Sequence, residues 1–195
     1  MQCSNSPPDA GQNMSSSEGT IRKLRAWERG KVRDHLLRLS PDDRQRRFLG
    51  SVGDDFIVAH SDALFAPDVI VLGCFMRGAL CAVGELHQQV TVRIAEIAIT
   101  VEPAFQNCGL GTEILRRLVL MARNRGIKTV QCFCLLDNTR AQKIAHRLGG
   151  ALQCLDGAME AQIIQPWPSC WSLLDEAFAD GQAVLHAWRG DPVQV

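Results

Sequence analysis

The chain has 195 residues, 46% of them hydrophobic, and its 21 basic and 21 acidic side chains give a formal net charge of zero. That size suits one globular domain with a small appendage. Nucleic acid and anionic membranes attract a clustered basic excess, so neither is an expected partner, and no apolar run approaches the roughly 20 residues of a membrane span.

The cysteines indicate the cellular compartment of the protein. The composition of the first residues indicates where the folded domain begins. The eight cysteines stand mostly inside apolar runs, no secretory hydrophobic segment precedes them, and no Cys-x-x-Cys occurs. We therefore predict reduced thiols in a cytoplasmic protein with no metal site. Residues 1–19 contain proline, glycine and five serines with little to bury, which predicts a disordered tail before a domain at 20–165.

The first half of the domain is predicted to contain a strand, two helices and a hairpin. The helix at 28–39 has apolar residues at a helical period, and Ser40 with Pro41 starts the next one. Within that second helix, the arginine run at 44–47 is typical of a solvated face. The strands are expected at 20–24, 69–75, 80–87 and 92–101, the last being apolar on both faces as a central strand is.

The second half alternates helices and strands. A helix ends at Gly126, a buried strand covers 129–136, and a further helix ends at Gly149. Asp156-Gly157 closes a hairpin, and a last helix in the extension at 166–195 follows Ser169. We expect that extension to pack on the domain rather than form a dimer contact, although a monomer and a homodimer both remain open. The element order predicts a mixed α/β sheet with helices on its faces.

The stretch "FQNCGLGTEILRRL" places two glycines at the start of a helix. Free backbone N–H groups at a helix N-terminus attract anions, and glycines allow a close approach, so a phosphate is the natural ligand. A Walker loop would need a lysine after Gly111, and a dinucleotide fingerprint would need a third glycine where Ile114 stands. A tight turn that binds nothing stays open as the alternative.

Two linked motifs resemble the GNAT acetyltransferase superfamily. Gln106, Gly109 and Gly111 match its Gln/Arg-x-x-Gly-x-Gly/Ala element, and Asn138, Ala141, Ile144 and Gly149 match the Asn-x-x-Ala element about 30 residues on. The resemblance spans roughly residues 20–165. The segment "LSPDDRQRRF" is in addition similar to the acetyltransferase domain of bacterial protein-lysine acetyltransferases. The family implies a mixed, mostly antiparallel sheet with helices on both faces.

The resemblance also implies acetyl-CoA as co-substrate and an amine as acceptor. The pyrophosphate would bind the backbone of the glycine turn, the pantetheine arm would lie along the central strand, and Asn138 would bind its far end. Without the motif, Asn138 reads equally well as an ordinary helix-capping residue. The residues implied in cofactor binding are Ile99, Val101, Gln106, Asn107, Cys108, Gly109, Leu110, Gly111, Thr112 and Asn138.

Acetyl transfer to an amine needs its lone pair, and a lysine with a pKa near 10.4 is neutral in only about one molecule in 2,500 at pH 7. Glu96 is the one carboxylate in an otherwise apolar strand, so we expect burial to raise its pKa and make it the general base. It also stands ten residues before Gln106, where many family members keep a glutamate. The alternative is a carboxylate paired with Arg93 or His87.

Two further residues are candidates for auxiliary roles, and one residue that is common in the family is missing. Glu85 and His87, on the neighbouring strand, are candidates for base, proton relay or substrate binding, although a histidine satisfied within its strand is the plainer interpretation. Many relatives place a tyrosine acid where Ala145 stands, and this chain has no tyrosine. Solvent or Cys134 would then protonate the leaving thiolate. An acyl-CoA-sensing module without turnover is the alternative function.

Overall fold

The computed structural model describes residues 19–190, except for the side chains of Val90 and of residues 182–190. The predicted tail therefore lies almost wholly outside the described residues. The strands are β1 Thr20–Lys23, β2 Val69–Met76, β3 Ala79–Gln89, β4 Ile94–Val101, β5 Thr129–Leu135, β6 Ala151–Leu155 and β7 Ala158–Ile164. The helices are α1 Arg29–Leu37, α2 Pro41–Phe48, α3 Asp54–Ala63, α4 Leu110–Asn124, α5 Thr139–Arg147 and α6 Cys170–Gly190.

The strands form one seven-stranded sheet in the order β1-β2-β3-β4-β5-β7-β6. Every neighbouring pair is antiparallel except β4 and β5, which run parallel because α4 connects them as a crossover. The predicted class, a mixed and mostly antiparallel sheet with helices on both faces, is confirmed. Both two-residue hairpin turns, Arg77-Gly78 and Asp156-Gly157, have positive φ at both positions, as type I′ turns require.

Two hydrophobic cores lie on opposite faces of the sheet. On one face, α4 packs through side chains such as Ile114 and Leu118 onto β3, β4 and β5. On the other, α1 and α3 bury Val32, Leu36 and Ile57 against β2 and β3. The alternation of strand side chains therefore assigns β3 and β4 residues to one face or the other, which decides which of them can meet a ligand.

The helix α3 was not predicted from the sequence. Its apolar pattern is weak, since Ile57 is buried but Phe56 and Val58 are 48% and 40% exposed. The first turn carries Asp54 and Asp55, which favour the positive end of a helix dipole. The predicted start of α2 is confirmed, because the Ser40 hydroxyl accepts a hydrogen bond of 3.1 Å from the Asp43 N–H.

The C-terminal helix α6 packs on β1 and α4 through polar side chains. Glu176 accepts hydrogen bonds from Asn124, Arg125 and Lys23, at 2.8, 3.0 and 3.1 Å respectively. The extension packs on the domain as expected, but Trp171 in the first turn of α6 is 81% exposed and does not contribute to that packing. The side chain of Trp188 lies outside the described residues. No helix in the described part of the chain is both long and apolar enough to cross a membrane.

The approach of α4 to the sheet depends on Gly84 in β3. A Cβ at this position would overlap Ile114 Cγ2 and lie 2.9 Å from Leu118 Cδ1, both on α4. Ile114 is β-branched and fully buried, so it cannot move aside easily. The glycine thus allows α4, whose first turn carries the glycine motif, to sit directly on the central strands.

We therefore expect Gly84→Ala to destabilise the fold by about 1–3 kcal/mol through overpacking. Gly30→Ala in α1 is the control, because its Cβ would meet only the end of the Arg33 side chain, at 4.0 Å. It should stabilise the protein slightly, since glycine is a poor helix former. Urea denaturation checks both values, and a Gly84→Ala protein as stable as the wild type would contradict this packing.

Candidate active site

A cleft opens in the sheet where β4 and β5 separate. The two strands pair only from Ile94 to Glu96 and from Thr129 to Gln131, and the remainder of each strand diverges. The resulting cleft has a volume of about 630 Å³. On its β5 side, the edge of β4 from Ile97 to Val101 has no strand partner, so its backbone groups are available to an extended ligand.

The glycine turn forms one end of this cleft. Asn107 and Gly109 have φ of 63° and 86°, and Leu110 begins α4 directly afterwards. Gly109 occupies the capping position without a side chain, so no side-chain cap satisfies the first N–H groups of α4. These amides stand at the positive end of a 15-residue helix, which makes the turn an anion site.

Gln106 fixes the turn in place. Its side-chain amide donates a hydrogen bond of 2.9 Å to the carbonyl of Val101 and accepts one from Arg140 on α5. The motif glutamine thus ties the turn to both the end of β4 and α5. Its role in the free protein is to position the loop.

Asn138 caps α5. Its Oδ1 accepts a hydrogen bond of 3.2 Å from the Ala141 N–H, which is the ordinary capping role considered above. Asn138 also lines the cleft, and its Nδ2 has no acceptor among the described residues. The capping bond therefore orients a free donor at the wall opposite the glycine turn.

The structure brings together nine of the ten residues predicted to bind the cofactor. These cleft-lining residues are Ile99, Val101, Gln106, Asn107, Gly109, Leu110, Gly111, Thr112 and Asn138. Cys108, the tenth, does not line the cleft; its exposed side chain donates a hydrogen bond to the Phe105 carbonyl. The wall from β5 adds Cys132, Phe133 and Cys134.

Glu96 lies at the closed end of the cleft, in the last pair that joins β4 to β5. It faces the same side of the sheet as its cross-strand partners His87 and Gln131. The prediction that Glu96 is buried is wrong, because its side chain is exposed. Its neighbours Ala95 and Ile97 are buried in the core under α4, so Glu96 faces the other side of the sheet.

Glu85 is instead the buried carboxylate of this face, with 1% of its side chain exposed. One of its oxygens receives an ion pair from Arg47 on α2 and lies 3.2 and 3.1 Å from the Nε2 atoms of His60 and His87. Burial alone would raise the pKa of Glu85, but the Arg47 charge and both histidine hydrogen bonds outweigh it and hold the pKa well below its usual range.

The arginine run of α2 is not the solvated face that the sequence indicated. The side chain of Arg47 is 9% exposed and that of Arg44 17% exposed, and Arg44 donates to the Leu37 carbonyl at 2.7 Å and pairs with Asp54 at 2.6 Å. Arg46 lines the cleft. The burial of Arg44 and Arg47 was missed because their ion-pair partners, Asp54 and Glu85, lie on other elements of the fold.

A fully buried histidine was not singled out by the sequence. His35 on α1 is fully buried, with Nε2 2.8 Å from Thr100 Oγ1 and Nδ1 3.1 Å from Glu102 Oε1. Burial lowers the pKa of His35 despite the neighbouring carboxylate, so the ring is neutral near pH 7. It ties α1 to the end of β4, next to the glycine turn.

Comparisons with known proteins agree with this geometry. Residues 32–150 match the acetyltransferase (GNAT) family, so the chain belongs to that family. The GNAT domain of S. lividans PAT superposes with a TM-score of 0.65 at 17% identity, covering 74% of this chain and 89% of that one. The fold resemblance expected from "LSPDDRQRRF" is thereby confirmed.

Two further solved structures share the fold. The yncA protein of Salmonella typhimurium, solved with its cofactor acetyl-CoA, has a TM-score of 0.59 at 19% identity and covers 79% of this chain and 99% of its own. A cAMP-binding acyltransferase from Mycobacterium smegmatis has a TM-score of 0.55 at 20% identity, over 87% of this chain and 52% of its own. No curated protein matches the chain.

The cluster of Glu85 with Arg47, His60 and His87 is expected to stabilise the fold. Glu85→Gln should cost about 3–5 kcal/mol, because Arg47 is left as a buried charge without its partner. The folded pKa of Glu85 lies below its ordinary value of 4.5, so its ionised form stabilises the fold above about pH 5 and loses this contribution as the pH falls. The wild type should therefore lose stability more steeply than Glu85→Gln between about pH 5 and pH 3.

Urea denaturation across that pH range checks both parts. Glu113→Gln is the control, since Glu113 is 36% exposed and pairs with Arg116 and Arg117 on the surface of α4. That substitution should cost no more than about 1 kcal/mol. Equal costs for the two variants at neutral pH would contradict the account of the cluster.

Proposed function

We propose that this protein is an N-acetyltransferase that transfers the acetyl group of acetyl-CoA to a primary amine, on a protein lysine or a small molecule, by direct attack. One observation carries the proposal. The cleft between β4 and β5 has the free amides of the α4 N-terminus at its open end, and Glu96, which does not line the cleft, stands in the strand pair that closes its other end. Residues 97–101 span about 16 Å of extended strand between them, comparable to a pantetheine arm.

The chain offers a binding group for each part of the cofactor. The free amides of the first turn of α4 suit the pyrophosphate, and the unpaired edge of β4 near Ile99 and Val101 suits the amides of the arm. Asn138 Nδ2 is a donor at the opposite wall. When bound, acetyl-CoA supplies a thioester whose carbonyl would stand near the point where the two strands meet.

The acceptor is expected on the face of the sheet that carries Glu96. Register places Gln131 and Phe133 of β5 and Glu160 of β7 on the same face. Glu160 accepts hydrogen bonds from Gln153, Gln131 and Gln162, at 2.6, 2.7 and 2.9 Å. These bonds, the Gln153 bond first, lower the pKa of Glu160 and keep it ionised. Glu160 itself is only 2% exposed, so Glu96 is the carboxylate near the closed end of the cleft that a cationic acceptor would meet.

Glu96 would act as the general base. Its exposure supports proton removal through water and rapid loss of the proton to solvent, in place of the buried carboxylate expected from the sequence. His87 is its cross-strand partner and is held by Glu85. Glu85 would serve as a positioning residue, because its three donors leave it a weak base.

Solvent would protonate the leaving thiolate. Ala145, at the position of the family tyrosine, is buried and cannot donate a proton. Burial raises the pKa of Cys134, which lines the cleft, with the Asp137 charge adding to the effect. A raised pKa makes Cys134 a weaker acid than an exposed cysteine and so a poorer proton donor.

The anion site is tested by placing a charge in it. Gly109 has open space around its Cβ position and a left-handed backbone that aspartate and asparagine both tolerate. Gly109→Asp should weaken acetyl-CoA binding at least about tenfold relative to Gly109→Asn, because only the charge differs between the two. Calorimetric titration measures both affinities. Equal affinities would show that no phosphate lies at the turn.

Gly109 is a better site for this test than Gly111. A Cβ on Gly111 would lie 3.4 Å from Ile144 Cδ1 on α5, so a side chain there would disturb helix packing as well as any ligand. A loss of binding in a Gly111 variant would therefore have two explanations.

The role of Glu96 is tested by Glu96→Gln. Turnover should fall by about 10²–10⁴, with acetyl-CoA affinity nearly unchanged, because a proton acceptor is lost without a change in shape. Thiol release across a panel of amines measures the rate. A Glu96→Gln enzyme at full rate would exclude Glu96 as the base.

The missing tyrosine supports one alternative, an acyl-CoA sensor of the same fold. Such a protein would bind acetyl-CoA through the same turn, and Gly109→Asp would weaken it equally. It would release no thiol with any amine tested, and this result separates the sensor from the enzyme.

A further inference from the structure

The face of α5 that borders the cleft carries three basic side chains. Arg140, Lys143 and Arg147 all line the cleft and are exposed. Their spacing of three and four residues puts them on one helical face over about 10 Å. With Arg46 and Arg47 they give the cleft five basic side chains against two carboxylates, Asp43 and Asp137, although the whole chain has no net charge.

These three cations are largely unused within the protein. Arg140 bonds to Gln106, while Lys143 and Arg147 have no ion pair or side-chain hydrogen bond among the described residues. The other two cleft cations differ, since Arg47 is neutralised by Glu85 and Arg46 lies 3.9 Å from Asp137. The basic face of α5 therefore holds uncompensated positive charge.

The basic face of α5 lies beside the glycine turn. The Gly111 Cα and the Ile144 side chain are in close contact, because a Cβ on Gly111 would lie only 3.4 Å from Ile144 Cδ1. Lys143 and Arg147 stand before and after Ile144 on α5, and both line the same cleft as the turn. A second anion next to the turn would meet them first.

Coenzyme A carries two separate anionic groups, the pyrophosphate and the 3′-phosphate of its ribose. The amides of one helix N-terminus can accommodate the first, which leaves the second without a partner there. A phosphate monoester carries a charge of about −1.5 to −2 at pH 7 and is bound well by lysine and arginine.

We propose that the basic face of α5, through Lys143 and Arg147 with support from Arg140, binds the 3′-phosphate of CoA and so selects the 3′-phosphorylated cofactor over dephospho-CoA. This inference rests on the proposed function. It identifies residues that set cofactor specificity, and it explains how the cleft attracts a phosphorylated ligand although residues 106–112 of the turn include no basic side chain.

The test compares CoA with 3′-dephospho-CoA by calorimetric titration. The wild type should bind CoA at least about tenfold more tightly, as expected for hydrogen bonds to a charged group. In the double variant Lys143→Gln/Arg147→Gln, which leaves the Arg140 contact with Gln106 in place, CoA should weaken to within about threefold of dephospho-CoA, whose own affinity should change little.

The control variant Arg33→Gln/Arg77→Gln removes the same charge from exposed positions outside the cleft and should keep the wild-type ratio. Equal wild-type affinities for the two ligands would overturn the inference and leave the proposed function standing. An equal loss of both ligands in the Lys143/Arg147 variant would also overturn it, by showing general attraction only. Failure of the wild type to bind either ligand would overturn both proposals.

Discussion

The separation of β4 from β5 after Glu96 is the constraint on which the rest of the site depends. Three paired residues on each strand hold the sheet together, and beyond them the α4 crossover and its glycine turn keep the strands apart. Because a strand edge without a partner is costly inside a protein, the open edge of β4 favours an extended ligand with amide groups. At the closed end of the cleft, such a ligand would lie near Glu96. At the open end, it would meet the free amides of α4 and the basic face of α5.

Charge is distributed unevenly around this opening, although the chain as a whole is neutral. On the acceptor face, Glu85 fixes Arg47 of α2 and His60 of α3 to β3 through one buried carboxylate. This network positions two helices beside the cleft and leaves Glu96 as the exposed carboxylate that a cationic acceptor would meet. On the cofactor side, unpaired basic side chains of α5 accompany the glycine turn. The positive charge on the cofactor side of the cleft thus suits the anionic cofactor, and the negative charge on the acceptor face suits a cationic acceptor.

Short sequence motifs predicted the glycine turn and the start of α5 correctly. They did not predict which side chains around the cleft are buried and which are exposed. Gly109 needs its positive φ, and Asn138 caps α5, so both motifs are encoded by short-range geometry that a sequence displays. The exposure of Glu96 was missed because it depends on where α2 and α3 end above the sheet, which strand periodicity does not reveal. The burial of Arg44 and Arg47 was missed for a related reason, since their ion-pair partners stand at least ten residues away. Helix α3 lacked a clean apolar period, and only its acidic first turn gave a signal.

The central claim, that acetyl-CoA lies between β4 and β5 with its phosphates at the glycine turn, is tested most directly by following backbone amide NMR shifts during titration with acetyl-CoA. The account predicts that the largest changes occur at residues 97–101, 106–112 and 132–147, with a further change at Glu96. The amides of Leu110, Gly111 and Thr112 should shift most, because they would donate to phosphate. Shifts centred elsewhere, or none at saturating acetyl-CoA, would contradict the account.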